Sequence, residues 1–328
     1  MKDDFGRNID YLRISLTDRC NFRCTYCMPA EGIEMMNHSD ILSLEEILRL
    51  AEISVQTGVG KVRLTGGEPL VRKGVLGFLK NLSAIDGIEN ISMTTNGFLL
   101  EEMAADLKKN GLNRLNISLD TLNREKFKKT CRVDGLEKVI KGIDSAIEAG
   151  FQPIKLNTVA VRGINDDEIS DLAEFAVQKN LVLRFIEQMP FNVTDKKAYM
   201  SAAEVLVKLE KRFGKPKKIE DKRKLISAGS GPAELYHFEE SGLITGFITP
   251  ISNHFCGSCN RLRLTADGKL KPCLLSGHEI DIRQKLRDGS SNEMIREVLL
   301  SAICMKPEKH NINGESIREN RGMSKIGG

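Results

Sequence analysis

Six short runs of β character recur along the first two-thirds of the chain, at Tyr11–Ser15, Lys61–Thr65, Asn90–Asn96, Arg114–Asp120, Ile154–Val161 and Leu181–Glu187, with apolar residues at helical spacing between them. Strand–helix units in such a succession predict a parallel sheet joined by right-handed crossovers. Parallel strands buried on both faces ordinarily read as continuous Val, Ile and Leu. These do not. Arg13 and Ser15, Arg63 and Thr65, Ser92, Thr94 and Asn96, Asn116, Ser118 and Asp120, and Lys155 with Asn157 stand at alternate positions, so each strand has one polar face. Arg184 adds a cation from the sixth run. A cation buried without a partner is costly, so this face must meet water or an anion. A six-strand sheet curled into a partial (β/α)6 barrel of the TIM type leaves a lumen for one; a filled eight-strand barrel or a flat sheet does not.

Local signals fit that frame. Ser43 with Glu46 has the form of a capping box ahead of Leu44, Ile47, Leu48 and Ala51, and Asn165 with Glu168 repeats the signal ahead of Ile169, Leu172 and Phe175. From about residue 215 the pattern changes, which divides the chain into a barrel domain, 1–215, and an α+β extension, 216–328. Lys211 to Lys224 holds eight basic residues in fourteen and reads as a solvated connection. Short β runs follow at Leu235–Phe238, Leu243–Thr249 and Arg261–Thr265, and Asp267-Gly268 marks a hairpin turn. Helical spacing returns at Ile280–Leu286 and Met294–Ile303, while the stretch from Lys306 to Gly328 is polar and reads as a mobile tail.

Six of the eight cysteines form two triplets, Cys20, Cys24 and Cys27 near the start and Cys256, Cys259 and Cys273 near the end. The first, C-x-x-x-C-x-x-C, brings three sulfurs to one tight loop and suits a 4Fe-4S cluster with one iron left unligated. The second is C-x-x-C with a third cysteine after thirteen intervening residues, and is open in the same way. Structural zinc completed by His254 or His278 is the alternative for the second triplet. Cys131 and Cys304 have no cysteine neighbours and are assigned no role. No cationic segment followed by an apolar core opens the chain, which predicts a cytoplasmic protein with reduced thiols. No apolar run approaches the roughly 18 residues of a membrane span. A net charge of +4 over 328 residues, with aromatics at 5% and no Trp, gives no footprint for nucleic acid.

The first triplet follows directly on the first strand, and Gly66-Gly67-Glu68-Pro69 follows the second, so both lie at the C-terminal mouth of the sheet, where such folds place ligands. The three-cysteine loop with Tyr26 beside Cys27, the Gly-Gly-Glu-Pro turn and the six strand–helix units together resemble the radical S-adenosylmethionine enzymes. Around the second triplet, Phe255-Cys256-Gly257-Ser258-Cys259-Asn260-Arg261-Leu262-Arg263-Leu264-Thr265 leads into Asp267-Gly268-Lys269-Leu270-Lys271-Pro272-Cys273. Arg261 and Arg263 share one face of a strand and make a fork for carboxylate or phosphate, while Leu262 and Leu264 face the other side. This segment is similar to the GTP 3',8-cyclase family of molybdenum cofactor biosynthesis, over nearly the whole chain.

The resemblance implies two 4Fe-4S clusters, held by Cys20, Cys24 and Cys27 and by Cys256, Cys259 and Cys273. It also implies S-adenosylmethionine as cofactor and GTP as substrate. Hydrogen would leave C3' of the ribose, and C3' would then bond to C8 of the purine. By match of motif, Tyr26, Gly67, Ser118 and Met189 would touch S-adenosylmethionine. Arg13, Arg63, Thr94, Lys155 and Arg261, Leu262 and Arg263 would hold GTP, with Arg184 fitting an anion-binding role. The closing Gly327-Gly328 resembles a family tail that enters the active site. An electron donor, a downstream cyclic pyranopterin monophosphate synthase and a homodimeric assembly complete the implied partners. Two other readings stand beside it. A peptide-modifying radical enzyme would use the second cluster as an electron carrier and leave Arg261 and Arg263 unexplained; an interaction module with two zinc ions would be colourless.

Overall fold

The computed structural model describes residues 1–189, 196–220, 231–310 and 322–327. Six parallel strands form the centre of one sheet: β1 (Tyr11–Ser15), β2 (Lys61–Thr65), β3 (Asn90–Thr95), β4 (Arg114–Ser118), β5 (Lys155–Ala160) and β6 (Val182–Glu187). Each pairs with the next in sequence, as right-handed crossovers allow. The helices between them include α1 (Leu44–Val55), α2 (Val75–Ser83), α3 (Leu100–Lys109), α4 (Arg124–Cys131), α5 (Leu136–Glu148) and α6 (Ile169–Gln178). Their apolar stripes cover the outer face of the sheet, where Leu12, Val62, Ile91, Leu115, Leu156 and Leu183 are buried in the core. The α/β partial barrel inferred from the alternating polar face is therefore the observed architecture.

The later strands extend this sheet at both edges. After α7 (Ala202–Phe213), β7 (Lys217–Lys218) pairs with β8 (Glu234–Phe238), β8 with β9 (Leu243–Ile248), and β9 runs parallel to β6. At the opposite edge β10 (Arg261–Leu264) runs parallel to β1, followed outward by β11 (Lys269–Lys271) and β12 (Ile280–Asp281). The hairpin at Asp267-Gly268 forms as expected, with Gly268 at φ +76°. The helical run expected from Ile280 begins instead as strand β12, and the helix α8 starts at Arg283 and ends at Arg287. Pairing of Ile280 with Leu270 captures the start of that run for the sheet. Helix α9 (Asn292–Cys304) is as anticipated.

The capping box of α1 forms, Glu46 N donating to Ser43 Oγ at 3.1 Å and Ser43 N to Glu46 Oε2 at 2.6 Å. The second cap does not. Asn165 holds the β4 and β5 loops, accepting from Val161 N and donating to Asp120 O and Val159 O, and Glu168 accepts from Thr121 Oγ1 and Leu122 N. Buried side chains have been recruited to orphan loop donors and acceptors, which outweighs a local cap. The basic connection is in part built into structure, since Lys217 and Lys218 form β7; residues 221–224 of it lie outside the described residues. The tail likewise corrects its reading as loose chain: Lys306 and His310 are buried, and a short helix α10 (Met323–Ile326) buries Ile326. Residues 311–321 and Gly328 lie outside the described residues.

Candidate functional site

One cavity of about 350 Å³ opens at the barrel mouth and is lined by all six cysteines of the two triplets. The first triplet sits on the loop after β1, whose turn is closed by Cys27 N and Met28 N donating to Cys24 O at 2.9 and 3.1 Å. Backbone bonds from Arg23 N to Cys131 O (3.0 Å) and Thr25 N to Thr130 O (2.9 Å) fix this loop against the end of α4. They set Cys24 against Cys131, whose thiols are hydrogen-bonded, a contact no sequence spacing announced. That bond and burial push the Cys24 thiol well up, and burial pushes Cys20 up to about 12.

The Gly66-Gly67 pair serves the loop's backbone first. A Cβ on Gly67 would stand 2.3 Å from Arg19 O, and one on Gly66 2.7 Å from Thr17 O. Gly67 N donates to Thr17 O and Glu68 N to Arg19 O, so the turn and the cysteine loop are zipped together where any side chain would separate them. Glu68 is buried, accepts from Leu70 N, Thr95 Oγ1 and Asn96 N, and is pushed up to about 7 by burial despite those bonds. Tyr26 donates to Asp120 Oδ2 at 2.7 Å, and Val159 N donates to Asp120 Oδ1, locking the tyrosine in the cavity wall. Gly67, Ser118 and Met189 line the same wall.

The lumen beneath is cationic. Register sets Arg263, Arg13 and Arg63 abreast on three neighbouring strands, followed by Ser92. Arg184 stands level with Asn157 and donates to Asn116 Oδ1 at 2.6 Å. Arg63 donates through Nε to Tyr11 Oη and to Ser92 Oγ. Buried atoms without a hydrogen-bond partner among the described residues include Arg13 Nε, Arg184 Nε, Arg263 Nη1, Thr94 Oγ1 and Asn157 Oδ1. Burial and the neighbouring arginines pull Arg13 well below its usual range, Arg184 to about 9, Arg263 to about 10 and Lys155 to about 6. Lys155 is buried deeper than the cavity lining but feels Arg184, Arg114 and Arg63.

The second triplet lies at the foot of β10. Arg261 packs over the Phe255 ring at 5.0 Å, and Arg261 and Lys306 overcome burial to draw the Cys259 thiol down to about 6. Leu262 faces away from the cavity, as alternation along the strand predicts: its side chain is 1% exposed in the hydrophobic core, which leaves only its backbone to meet a ligand. The alternation of a strand leaves no other option between two lumen-facing arginines. His254, weighed as a zinc ligand, is engaged otherwise: Nδ1 contacts Pro250 O at 2.9 Å and its ring meets His310 edge-on. His278 is exposed and outside the lining. Among the described residues no group of three or more His, Cys, Asp or Glu side chains is drawn together closely enough to hold a metal ion, the thiols of each triplet included. Neither histidine stands as a fourth donor to the second triplet, and its cysteines border a lumen with buried guanidinium and polar atoms that lack partners, which fits an open cluster better than a closed zinc site.

Sequence reasoning missed Arg7. Its guanidinium, paired with Asp3 at 2.6 Å, donates to Cys256 O, Pro307 O and Glu308 O at 3.0, 2.8 and 3.0 Å. The C-terminal tail reaches the site, as the resemblance implied: Thr65 Oγ1 donates to Gly327 O at 3.1 Å, and Met323 lines the cavity.

A barrel mouth with a C-x-x-x-C-x-x-C loop zipped to a Gly-Gly-Glu-Pro turn defines a radical S-adenosylmethionine protein, and the family described as the radical SAM superfamily matches residues 14–176. A second, Molybdenum Cofactor Synthesis C, matches residues 181–312. Similar proteins include the GTP 3',8-cyclases of Thermodesulfovibrio yellowstonii (48% identical) and Desulforamulus reducens (46%), with full coverage of each chain on both sides. This chain belongs to the GTP 3',8-cyclase family. Solved structures share the fold at lower identity. Streptococcus suis SuiB bound to precursor peptide SuiA gives a TM-score of 0.63 at 16% identity, covering 98% of this chain and 71% of that one. Native anSMEcpe with bound AdoMet gives 0.61 at 16%, covering 94% and 82%.

Proposed function

We propose that the cavity holds S-adenosylmethionine against Cys20, Cys24 and Cys27, and GTP against Cys256, Cys259 and Cys273. The protein is a lyase of molybdenum cofactor biosynthesis that converts GTP to (8S)-3',8-cyclo-7,8-dihydroguanosine 5'-triphosphate, with two 4Fe-4S clusters and S-adenosylmethionine as cofactors. When bound and reduced, the first cluster with S-adenosylmethionine supplies a carbon radical able to remove hydrogen from an unactivated C–H bond.

The chain's own contribution is position and exclusion. Tyr26, fixed by Asp120, and Gly67, Ser118 and Met189 border the S-adenosylmethionine side. Arg13, Arg63, Thr94, Lys155, Arg184, Arg261 and Arg263 hold GTP, and Leu262 contributes through its backbone alone. The observation that carries this reading is the set of buried, unpartnered cationic and polar atoms between the two thiol triplets. A triphosphate answers them: it supplies acceptors to the guanidinium groups and offsets the burial and mutual repulsion that depress Arg13 and Lys155. The tail's Gly327, held on Thr65, closes the mouth beside β1 and β2 and limits access of water.

The reading extends to an electron donor, required because the chemistry begins with a one-electron reduction, and to cyclic pyranopterin monophosphate synthase as consumer of the product. It retains the division into a barrel, 1–215, and an extension, 216–328, joined through one sheet. It also includes a homodimer and a cytoplasmic location; no helix among the described residues is long and apolar enough to cross a membrane. The experiment is an anaerobic turnover with reductant, S-adenosylmethionine and 3'-deuterated GTP. Deuterium in the recovered 5'-deoxyadenosine is expected; 5'-deoxyadenosine free of label sinks the assignment.

A further inference from the structure

Lys306 follows α9 and is 4% exposed at the wall of the cavity. Its Nζ donates to Arg261 O at 2.9 Å and Pro272 O at 2.7 Å, and contacts the Cys259 thiol. Arg261 lies two residues beyond Cys259, and Pro272 immediately precedes Cys273, so one ammonium ties together the two arms of the second triplet. Among the described residues its partners are two carbonyls and a sulfur, with no carboxylate. Two carbonyl dipoles are weak compensation for a buried ammonium, which burial and Arg261 both disfavour, and the thiols of the second triplet are the groups beside it able to carry opposite charge.

A second, independent arrangement holds the lysine in place. The buried Arg7–Asp3 pair places the Arg7 guanidinium on the carbonyls of Lys306, Pro307 and Glu308, and on Cys256 O. Residues at the start of the chain thus fasten the segment carrying Lys306 to the arm carrying Cys256.

We infer that Lys306 is a positioning residue of the second thiolate triplet: its ammonium, clamped by Arg7, joins the Cys256–Cys259 arm to Cys273 and raises the reduction potential of the cluster they hold. This rests on the reading that these cysteines hold a 4Fe-4S cluster. Reduction adds negative charge to that cluster, and a fixed cation beside its thiolates favours the reduced form. Arg261 also acts on Cys259, but it lines the lumen with Arg263 where GTP is proposed to bind, whereas Lys306 has both of its oxygen partners in the backbone, so its charge stays with the cluster when substrate leaves.

The test compares wild type, K306M and K306R, reconstituted anaerobically without substrate, by iron analysis and by potentiometric titration followed by electron paramagnetic resonance. Wild type should hold about eight irons per chain; a lower content with one cluster signal overturns the underlying cluster reading and is separable from the lysine's role. In K306M with both clusters present, the reduced fraction of the second should fall at least tenfold at fixed potential, about 59 mV for one electron, with the first unchanged. If K306M instead loses the second cluster alone, K306R must keep it, since a guanidinium keeps the charge and can reach both carbonyls. A second cluster in K306M whose reduced fraction at fixed potential is within twofold of wild type, its loss from both variants, or an equal shift in K306R overturns the inference.

Discussion

Arg13 gives the sharpest energetic test, because its roles in the empty and the filled protein have opposite signs. It is half-buried, flanked by Arg263 and Arg63, and its Nε is buried without a partner. Replacing a buried charge by an apolar side chain of similar length stabilises folds by about 1–4 kcal/mol where compensation was incomplete. For a chain of this size, near 2 °C per kcal/mol, Arg13→Met should raise the melting transition of the cluster-loaded, GTP-free protein by roughly 2–8 °C. The same change removes a charge-assisted bond to phosphate worth about 1.5–3 kcal/mol, weakening GTP roughly 10- to 150-fold. Anaerobic differential scanning calorimetry with and without GTP measures both: GTP at 100 times its Kd stabilises wild type by about 2.7 kcal/mol and the variant by clearly less. A variant that melts lower when empty, yet binds GTP within twofold of wild type, would refute the claim that an anion answers these cations.

Three further outcomes follow from the same geometry. Lys155 titrates near 6 in the folded, GTP-free protein but near 10.4 in an unfolded chain, so the unfolded state holds the extra proton between those values. Its cost is complete below pH 6 and fades as pH rises toward 10; melting curves across that window should climb less steeply for Lys155→Met. GTP binding near pH 7.5 should also take up a proton at Lys155, read by calorimetry in buffers of different ionisation enthalpy. Gly67→Ala forces a Cβ into Arg19 O and should displace the first cysteine loop, lowering iron from about eight to about four per chain, with the second cluster's spectrum retained. Replacing Asp120 with Asn leaves Tyr26 Oη a partner without the charge; weaker binding of S-adenosylmethionine, measured by equilibrium dialysis, is expected with iron content unchanged.

The lumen was legible because strand alternation is local: Arg13 and Ser15, or Arg63 and Thr65, expose their common face without knowledge of any partner strand. The two thiol triplets were legible for the same reason, each set by spacing within a single loop or hairpin. What lay beyond reading was long-range. Arg7 reaches carbonyls some 250 to 300 positions away, Lys306 acts across the β10–β11 hairpin, and Cys131 meets Cys24 through pairing of the cysteine loop with the end of α4. The Asn165–Glu168 signal had the right chemistry and the wrong addressees, since buried loop donors outcompete a helix end. Leu262 shows the limit of motif transfer: it sits inside a matched stretch, while the two-residue repeat of β10 points its side chain into the core. Pairing of β9 with β6 and of β10 with β1, which carries the extension onto both edges of the barrel, depends on contacts that no window of sequence contains.

The most direct measurement is electron paramagnetic resonance on the reduced, anaerobic protein, titrated separately with S-adenosylmethionine and with GTP, in wild type and in Cys256→Ser. The account predicts two cluster signals in wild type. S-adenosylmethionine should alter one of them, which survives in Cys256→Ser, and GTP the other, which that substitution removes. A single signal, or a GTP response that persists unchanged without Cys256, would contradict two open iron sites facing one shared cavity.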